Sequence, residues 1–156
     1  MIVAFDTMTL IWALKDNPTE ENADFHRRAE LLMKQLTRDK AIVVLPTIVI
    51  GEYLCKVPKS SHGQIVAKLQ ERFRIVPFDV RASSMAADLW QKRQNLPHSR
   101  RLLKADMLVI ASAEAAGAER FYSADAECRA VAELVMEAYD LPTFNEKLFD
   151  DDVDTQ

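Results

Sequence analysis

The sequence predicts a doubly wound α/β domain around a central, mainly parallel sheet, and three observations carry that expectation. Short β-rich runs alternate with longer helical patterns, as successive βαβ units require. The first strand candidate, Ile2-Val3-Ala4-Phe5, is apolar on both faces, as a strand buried between two helical layers must be. Acidic residues fall where strands end, at Asp6 and at Asp125 two residues past Ser123. That rim is where open parallel sheets bind ligands.

The elements follow in order. After the first strand, Thr9 to Lys15 reads as a short helix, broken at Asn17-Pro18-Thr19. Residues 20–38 carry Phe25, Ala29, Leu32, Met33 and Leu36 at helical spacing, a long amphipathic helix. Ala41 to Leu45 is the second strand. Pro46 then opens a third helix at a position where its missing N–H costs nothing. This helix runs to about Lys56, with Val49, Tyr53 and Lys56 on one side and Glu52 near its middle. Ser60 to Phe73 is helical, with Ile65, Val66 and Leu69 inward, and Arg74 to Phe78 is a strand ended by Pro77. Val80 to Gln94 is a helix with Met85, Leu89 and Trp90 apolar, and residues 95–101 form a loop punctuated by Pro97. Lys104 to Ala116 is an Ala-rich helix closed by Gly117. Arg120 to Ser123 is the fourth strand, Asp125 to Met136 a helix, and Tyr139 to Thr143 a short edge strand. Residues 1–148 read as a single domain. Residues 149–156 form an acidic tail whose four aspartates mark a solvated, frayed end.

The bulk numbers narrow the function. The chain has 156 residues, 49% hydrophobic and 28% charged, enough for one packed core. No apolar run reaches the roughly 18 residues that span a bilayer. The start MIVAFD lacks the basic region of a signal peptide, so the cytoplasm is the expected location. A net charge of −4 argues against gripping nucleic acid by broad charge neutralisation. Cys55 and Cys128 stand apart from any zinc-ligand spacing and are expected to be small buried hydrophobes without a disulfide. His26, His62 and His98 are scattered, with no nucleophile in a motif around them.

The carboxylates are what remains. Asp6, Asp106 and Asp125 each have an ordinary reading as helix N-caps, and Thr7 and Ser123 as caps or turn formers. Glu52 lies between IVIG and YLC, so it is expected to be buried and to need a partner. That partner is either a shared cation or Lys56, four residues on. Carboxylates brought within about 4 to 6 Å repel unless a cation lies among them. Hard oxygen ligands select Mg²⁺ or Mn²⁺ over zinc, and such ions hydrolyse phosphodiesters. A receiver-like phosphoacceptor domain would want paired acids before its acceptor strand and a later Lys at a strand end, and neither is evident.

At these residues the chain resembles the PIN-domain family of ribonucleases, most closely its VapC-type toxin branch. IVAFDTMTLIWAL is similar to the family's first strand, with Asp6 as first acidic residue and Thr7 as the hydroxyl after it. LPTIVIGEYL carries the second acidic position as Glu52, and RRLLKADMLVIASAEAAGA carries the third as Asp106. FYSADAECRAV resembles the end of strand four, with Ser123 and the fourth acidic residue, Asp125. The ordered set runs from residue 1 to about 132. Glu127 stands where the family often has a further Asp, either supporting the site or lying solvated on its helix. The resemblance implies a three-layer α/β/α sandwich, Mg²⁺ or Mn²⁺ as cofactor, and endonucleolytic cleavage of RNA with Asp6, Glu52, Asp106 and Asp125 as catalytic ligands. It also implies a homodimer held inactive by a small antitoxin. Lys92, Arg93, Arg100, Arg101 and Lys104 are either a solvated face or a strip steering phosphate to the site, with Arg100, Arg101 and Lys104 the RNA-binding candidates. The competing reading is a non-catalytic PIN-like module that binds RNA or a protein.

Overall fold

The computed structural model describes the backbone of residues 1–96 and 103–144, and the side chains of these except 95, 103 and 104. In chain order the elements are β1 (Ile2–Phe5), α1 (Thr7–Leu14), α2 (Ala23–Arg38), β2 (Ile42–Pro46), α3 (Thr47–Leu54), α4 (His62–Arg72) and β3 (Arg74–Val76). They continue with α5 (Val80–Lys92), α6 (Leu103–Ala115), β4 (Arg120–Tyr122), α7 (Ala126–Ala132) and β5 (Glu137–Tyr139). The strands form one sheet in the order β3-β2-β1-β4-β5, with every pairing parallel. The chain winds outward from β1 through β2 to β3, then returns to the other side of β1 to lay down β4 and β5. With this order and all-parallel pairing, the right-handed rule for crossovers assigns α1–α4 to one face and α5–α7 to the other, the expected α/β/α sandwich. Strand order therefore reverses between β1 and β4.

Local chemistry sets the boundaries. Asp6 caps α1, its Oδ1 accepting the Thr9 N–H at 2.8 Å, so the helix begins at Thr7 rather than Thr9. Residues 20–22 form a 3-10 turn ahead of α2 instead of its first helical turn. Pro46 closes β2 in extended conformation and precedes α3 rather than opening it. Gly117 ends α6 with φ +79°, and the Ala118 N–H bonds back to the Ala113 carbonyl at 3.0 Å, as a left-handed C-terminal residue permits. Two expectations at the C-terminal side are corrected. α7 stops at Ala132, and the edge strand lies at Glu137–Tyr139 instead of Tyr139–Thr143. The register shows why: Arg120, Phe121 and Tyr122 pair with Glu137, Ala138 and Tyr139, so the chain must leave the helix early enough to reach β4.

The core lies between sheet and helices. Phe5 and Phe121 are fully buried on adjacent strands, and Phe73 meets Phe5 edge-on at 5.9 Å. Trp12 stacks on Phe25 at 4.4 Å and ties α1 to α2. A charged clasp closes the β5 end. Arg28 donates to the Asp140 carboxylate at 2.8 Å and to the carbonyls of Leu141 and Pro142 at 2.7 and 3.3 Å. Arg129 lies 3.7 Å from the same carboxylate and donates to the Ser123 carbonyl at 2.7 Å. Both cysteines are free; Cys128 is buried as expected, whereas Cys55 is exposed just past the end of α3. Among the described residues no helix is long and apolar enough to cross a membrane.

Candidate active site

The reversal of strand order holds an acid on each of two neighbouring strand ends. Asp6 follows β1 directly, and its N–H donates to the Tyr122 carbonyl of β4 at 3.2 Å, which fixes its carboxylate at the β1/β4 seam. Ser123 follows β4 and is fully buried. Its hydroxyl donates a short hydrogen bond to Asp6 Oδ2 and accepts the Asp125 N–H at 3.0 Å. One hydroxyl thus spaces the two acids. Asp125 caps α7, its Oδ1 accepting the N–H groups of Glu127 and Cys128 at 2.8 and 3.3 Å. From the other helices, Glu52 of α3 accepts a short hydrogen bond from the Thr7 hydroxyl, and Asp106 enters from the first turn of α6. Asp6, Thr7, Glu52, Asp106 and Asp125 all line one open cleft of about 490 Å³.

The cleft is acidic, and its charges are felt. Burial pushes the Asp6 carboxyl above the usual range, against hydrogen bonds from Ser123 and Thr9 that favour its charged form, with Asp125 adding repulsion. Asp106 is pushed up to about 6, first by burial and then by the charges of Asp6, Asp125 and Glu52. The Cys128 thiol is pushed up too, by burial and then by Asp106 and Asp6. Asp106 forms no hydrogen bond with another described residue, so nothing within the described protein offsets that repulsion. A divalent cation fits such a set: all donors are hard carboxylate or hydroxyl oxygens, and the like-charge crowding is what a cation relieves. Among the described residues no three acidic, histidine or cysteine groups are already closed around one point. Asp6 and Glu52 are instead turned onto the hydroxyls of Ser123 and Thr7.

Each expected residue now has a place. The capping role is real for Asp6 and Asp125, and both also face the cleft. Asp106 and Glu52 lie within helices and cap nothing. Glu52 is exposed rather than buried, because Val49 and Ile50 take the inward face of α3, and its partner is Thr7 rather than Lys56. Glu127 is half-buried in the first turn of α7 and does not line the cleft. Two members of the basic strip are engaged elsewhere. Lys92 pairs with Asp88 at 2.8 Å, and the guanidinium of buried Arg93 stacks 3.6 Å from the Trp90 ring. Arg100 and Arg101 lie outside the described residues, as does the side chain of Lys104. Sequence reasoning missed the wall that Met8, Ile11 and Trp12 of α1 add to the cleft. The signal was available, since residues 8 and 12 lie one helical turn apart beside Thr7.

Were the cleft to hold Mn²⁺ through Asp6, Ser123→Ala should weaken that binding by about 10- to 100-fold, the usual effect of removing a group that orients a ligating carboxylate. Calorimetric titration reads this directly, and affinity within threefold of wild type would remove Ser123 from the site.

An open parallel sheet with an acidic cleft at its point of strand reversal defines a doubly wound α/β protein with its site at the switch point. The PIN-domain family model matches residues 3–134, and the chain belongs to that family. Solved structures share the fold at low identity. VapBC2 from Rickettsia felis, bound to a DNA fragment from its promoter, aligns with TM-score 0.63 at 15% identity, covering 91% of this chain and 100% of that one. A toxin–antitoxin complex from Klebsiella pneumoniae aligns with TM-score 0.56 at 17% identity, covering 82% and 90%. VapC20 from Mycobacterium tuberculosis, described as a toxin that cleaves the sarcin–ricin loop, aligns with TM-score 0.51 at 17% identity, covering 82% and 93%. No curated protein matches the chain.

Proposed function

We propose that the protein is a Mg²⁺- or Mn²⁺-dependent endoribonuclease, the toxin of a toxin–antitoxin pair. The observation that carries the reading is the meeting of four acids, distant in sequence, in one cleft where Asp106 is pushed up first by burial and then by the charges of the other three. Asp6, Asp106 and Asp125 would supply ligand oxygens, and Glu52 would complete the set or orient the attacking water. A bound divalent ion would polarise the phosphodiester and lower the pKa of that water. Thr7 and Ser123 hold Glu52 and Asp6 in place through their hydroxyls. Arg100, Arg101 and Lys104 would bring phosphate to the acidic rim despite the net charge of −4. Water attacking phosphorus in line leaves a 3′-hydroxyl and a 5′-phosphate.

Family membership supports the nuclease reading, and likeness to a toxin–antitoxin complex and to a loop-cleaving toxin supports the toxin reading. A small antitoxin, a homodimeric state and a cytoplasmic location follow from it. All four family positions are acidic here, which speaks against a non-catalytic binding module. The test is an oligoribonucleotide incubated with purified protein and Mn²⁺, with and without a chelator. Cleavage should need the metal and yield 5′-phosphate ends. A 2′,3′-cyclic phosphate product, or cleavage indifferent to chelation, would overturn the mechanism, and absence of Mn²⁺ binding by calorimetry would favour the binding module.

A further inference from the structure

We propose that Lys56 is a substrate-binding residue whose ammonium takes a backbone phosphate of the RNA in the cleft. The inference rests on the nuclease reading and adds to it the group that offsets the substrate's charge beside the acids. Among the described residues Lys56 is the only cationic side chain lining the cleft, together with Asp6, Glu52, Asp106 and Asp125. It is exposed, and it forms no ion pair with any described carboxylate.

That freedom has a structural cause. Glu52 and Lys56 stand four apart, the spacing at which helical ion pairs form. α3 ends at Leu54, however, and Lys56 sits in the turn beyond, where the Val57 N–H bonds back to the Leu54 carbonyl at 3.0 Å. No ion pair joins the lysine to Glu52, whose carboxylate accepts from the Thr7 hydroxyl instead. A cation with no ion pair among the described residues, beside four carboxylates, is available to an anionic ligand. A phosphodiester entering this cleft meets repulsion from every acid not neutralised by a metal, and a lysine ammonium is a compact point charge suited to phosphate. If Lys56 only neutralised the acids, its removal would strengthen metal binding and leave RNA unaffected. If it holds phosphate, RNA binding weakens while metal binding does not.

The experiment compares wild type, Lys56→Met and Lys56→Arg on a fluorescent single-stranded oligoribonucleotide. It measures kcat and KM in Mn²⁺, RNA binding in Ca²⁺, and Mn²⁺ affinity by calorimetry. Lys56→Met should raise KM about tenfold, as loss of a charged hydrogen bond does, with kcat within about threefold and Mn²⁺ affinity unchanged or tighter. The salt dependence of RNA binding should fall by about 0.7 in logarithmic slope, one phosphate contact on a single strand. Lys56→Arg should restore both. Cleavage by wild type with an unchanged KM in Lys56→Met overturns this inference and leaves the nuclease reading standing. Lys56-dependent RNA binding without any cleavage keeps the inference and overturns the nuclease reading. Neither cleavage nor RNA binding overturns both.

Discussion

Replacing Asp106 with asparagine should lower RNA cleavage roughly a thousandfold, the scale of losing a group that stabilises the transition state, and yet stabilise the metal-free protein at neutral pH. The two effects share one cause. Burial and the charges of Asp6, Asp125 and Glu52 push the Asp106 carboxyl up to about 6 from its ordinary 3.8. The folded protein therefore holds this proton more tightly than the unfolded chain, and stability falls as pH rises through the window from about 4 to 6. Below that window the group is protonated in both states and the penalty is absent; above it the penalty is complete. A shift of this size in a fully enclosed group would correspond to about 3 kcal/mol. Because Asp106 is only half-buried, screening by solvent reduces the expected gain to about 1–2 kcal/mol. The midpoint of thermal unfolding at pH 7.5 should rise by about 4 °C, and its decline between pH 4 and 6 should flatten. Mn²⁺ should stabilise the wild type and have little effect on the variant. Near wild-type cleavage by Asp106→Asn would show that the carboxylate is not needed, and an unaltered pH profile would show that the repulsion is not there.

Phe121→Ala should cost about 3–5 kcal/mol, the range for removing a buried aromatic ring. Phe121 is fully buried at the centre of β4, between Ala4 of β1 and Ala138 of β5. Its neighbours are small on both strands, so the cavity cannot be filled from beside it. The loss is a large share of the roughly 5–15 kcal/mol that holds a typical domain together. Urea unfolding should show a lower midpoint with an unchanged slope, since the surface exposed on unfolding is nearly the same. A cost under 1 kcal/mol would mean that β4 is not the centre of the C-terminal half of the sheet.

The interior was legible in the sequence wherever a single physical rule acted alone. Ile2 to Phe5 could only be a strand covered on both faces, and Gly117 could only supply the left-handed end of α6. The order of the acids was legible because Asp6, Asp106 and Asp125 stood at a strand end or a helix start and Glu52 stood alone in an apolar stretch. What escaped reading depended on competition between elements. Glu52 has apolar neighbours in sequence, yet the helix turns them inward and leaves it at the cleft mouth. Cys55 is exposed for the same reason. β5 is three residues long with Glu137 and Tyr139 exposed, too short for alternation to fix its register, which pairing with β4 decides. Lys92 and Arg93 read as either a solvated face or a phosphate strip; helical spacing puts Asp88 one turn before Lys92, but only the structure shows that the pair forms and that Arg93 stacks on Trp90.

The hydroxyl of Ser123 binding Asp6 joins residues 117 positions apart, and this has a bearing on synthesis. Strand β1 leaves the ribosome early, but the seam that aligns its acid does not exist until β4 has emerged and paired beside it. Growing chains that stop short of Ser123 hold Asp6, Glu52 and Asp106 without their fourth partner. The acidic cleft is therefore incomplete throughout most of the chain's own translation, and its geometry is set only when the C-terminal third of the domain has folded onto β1.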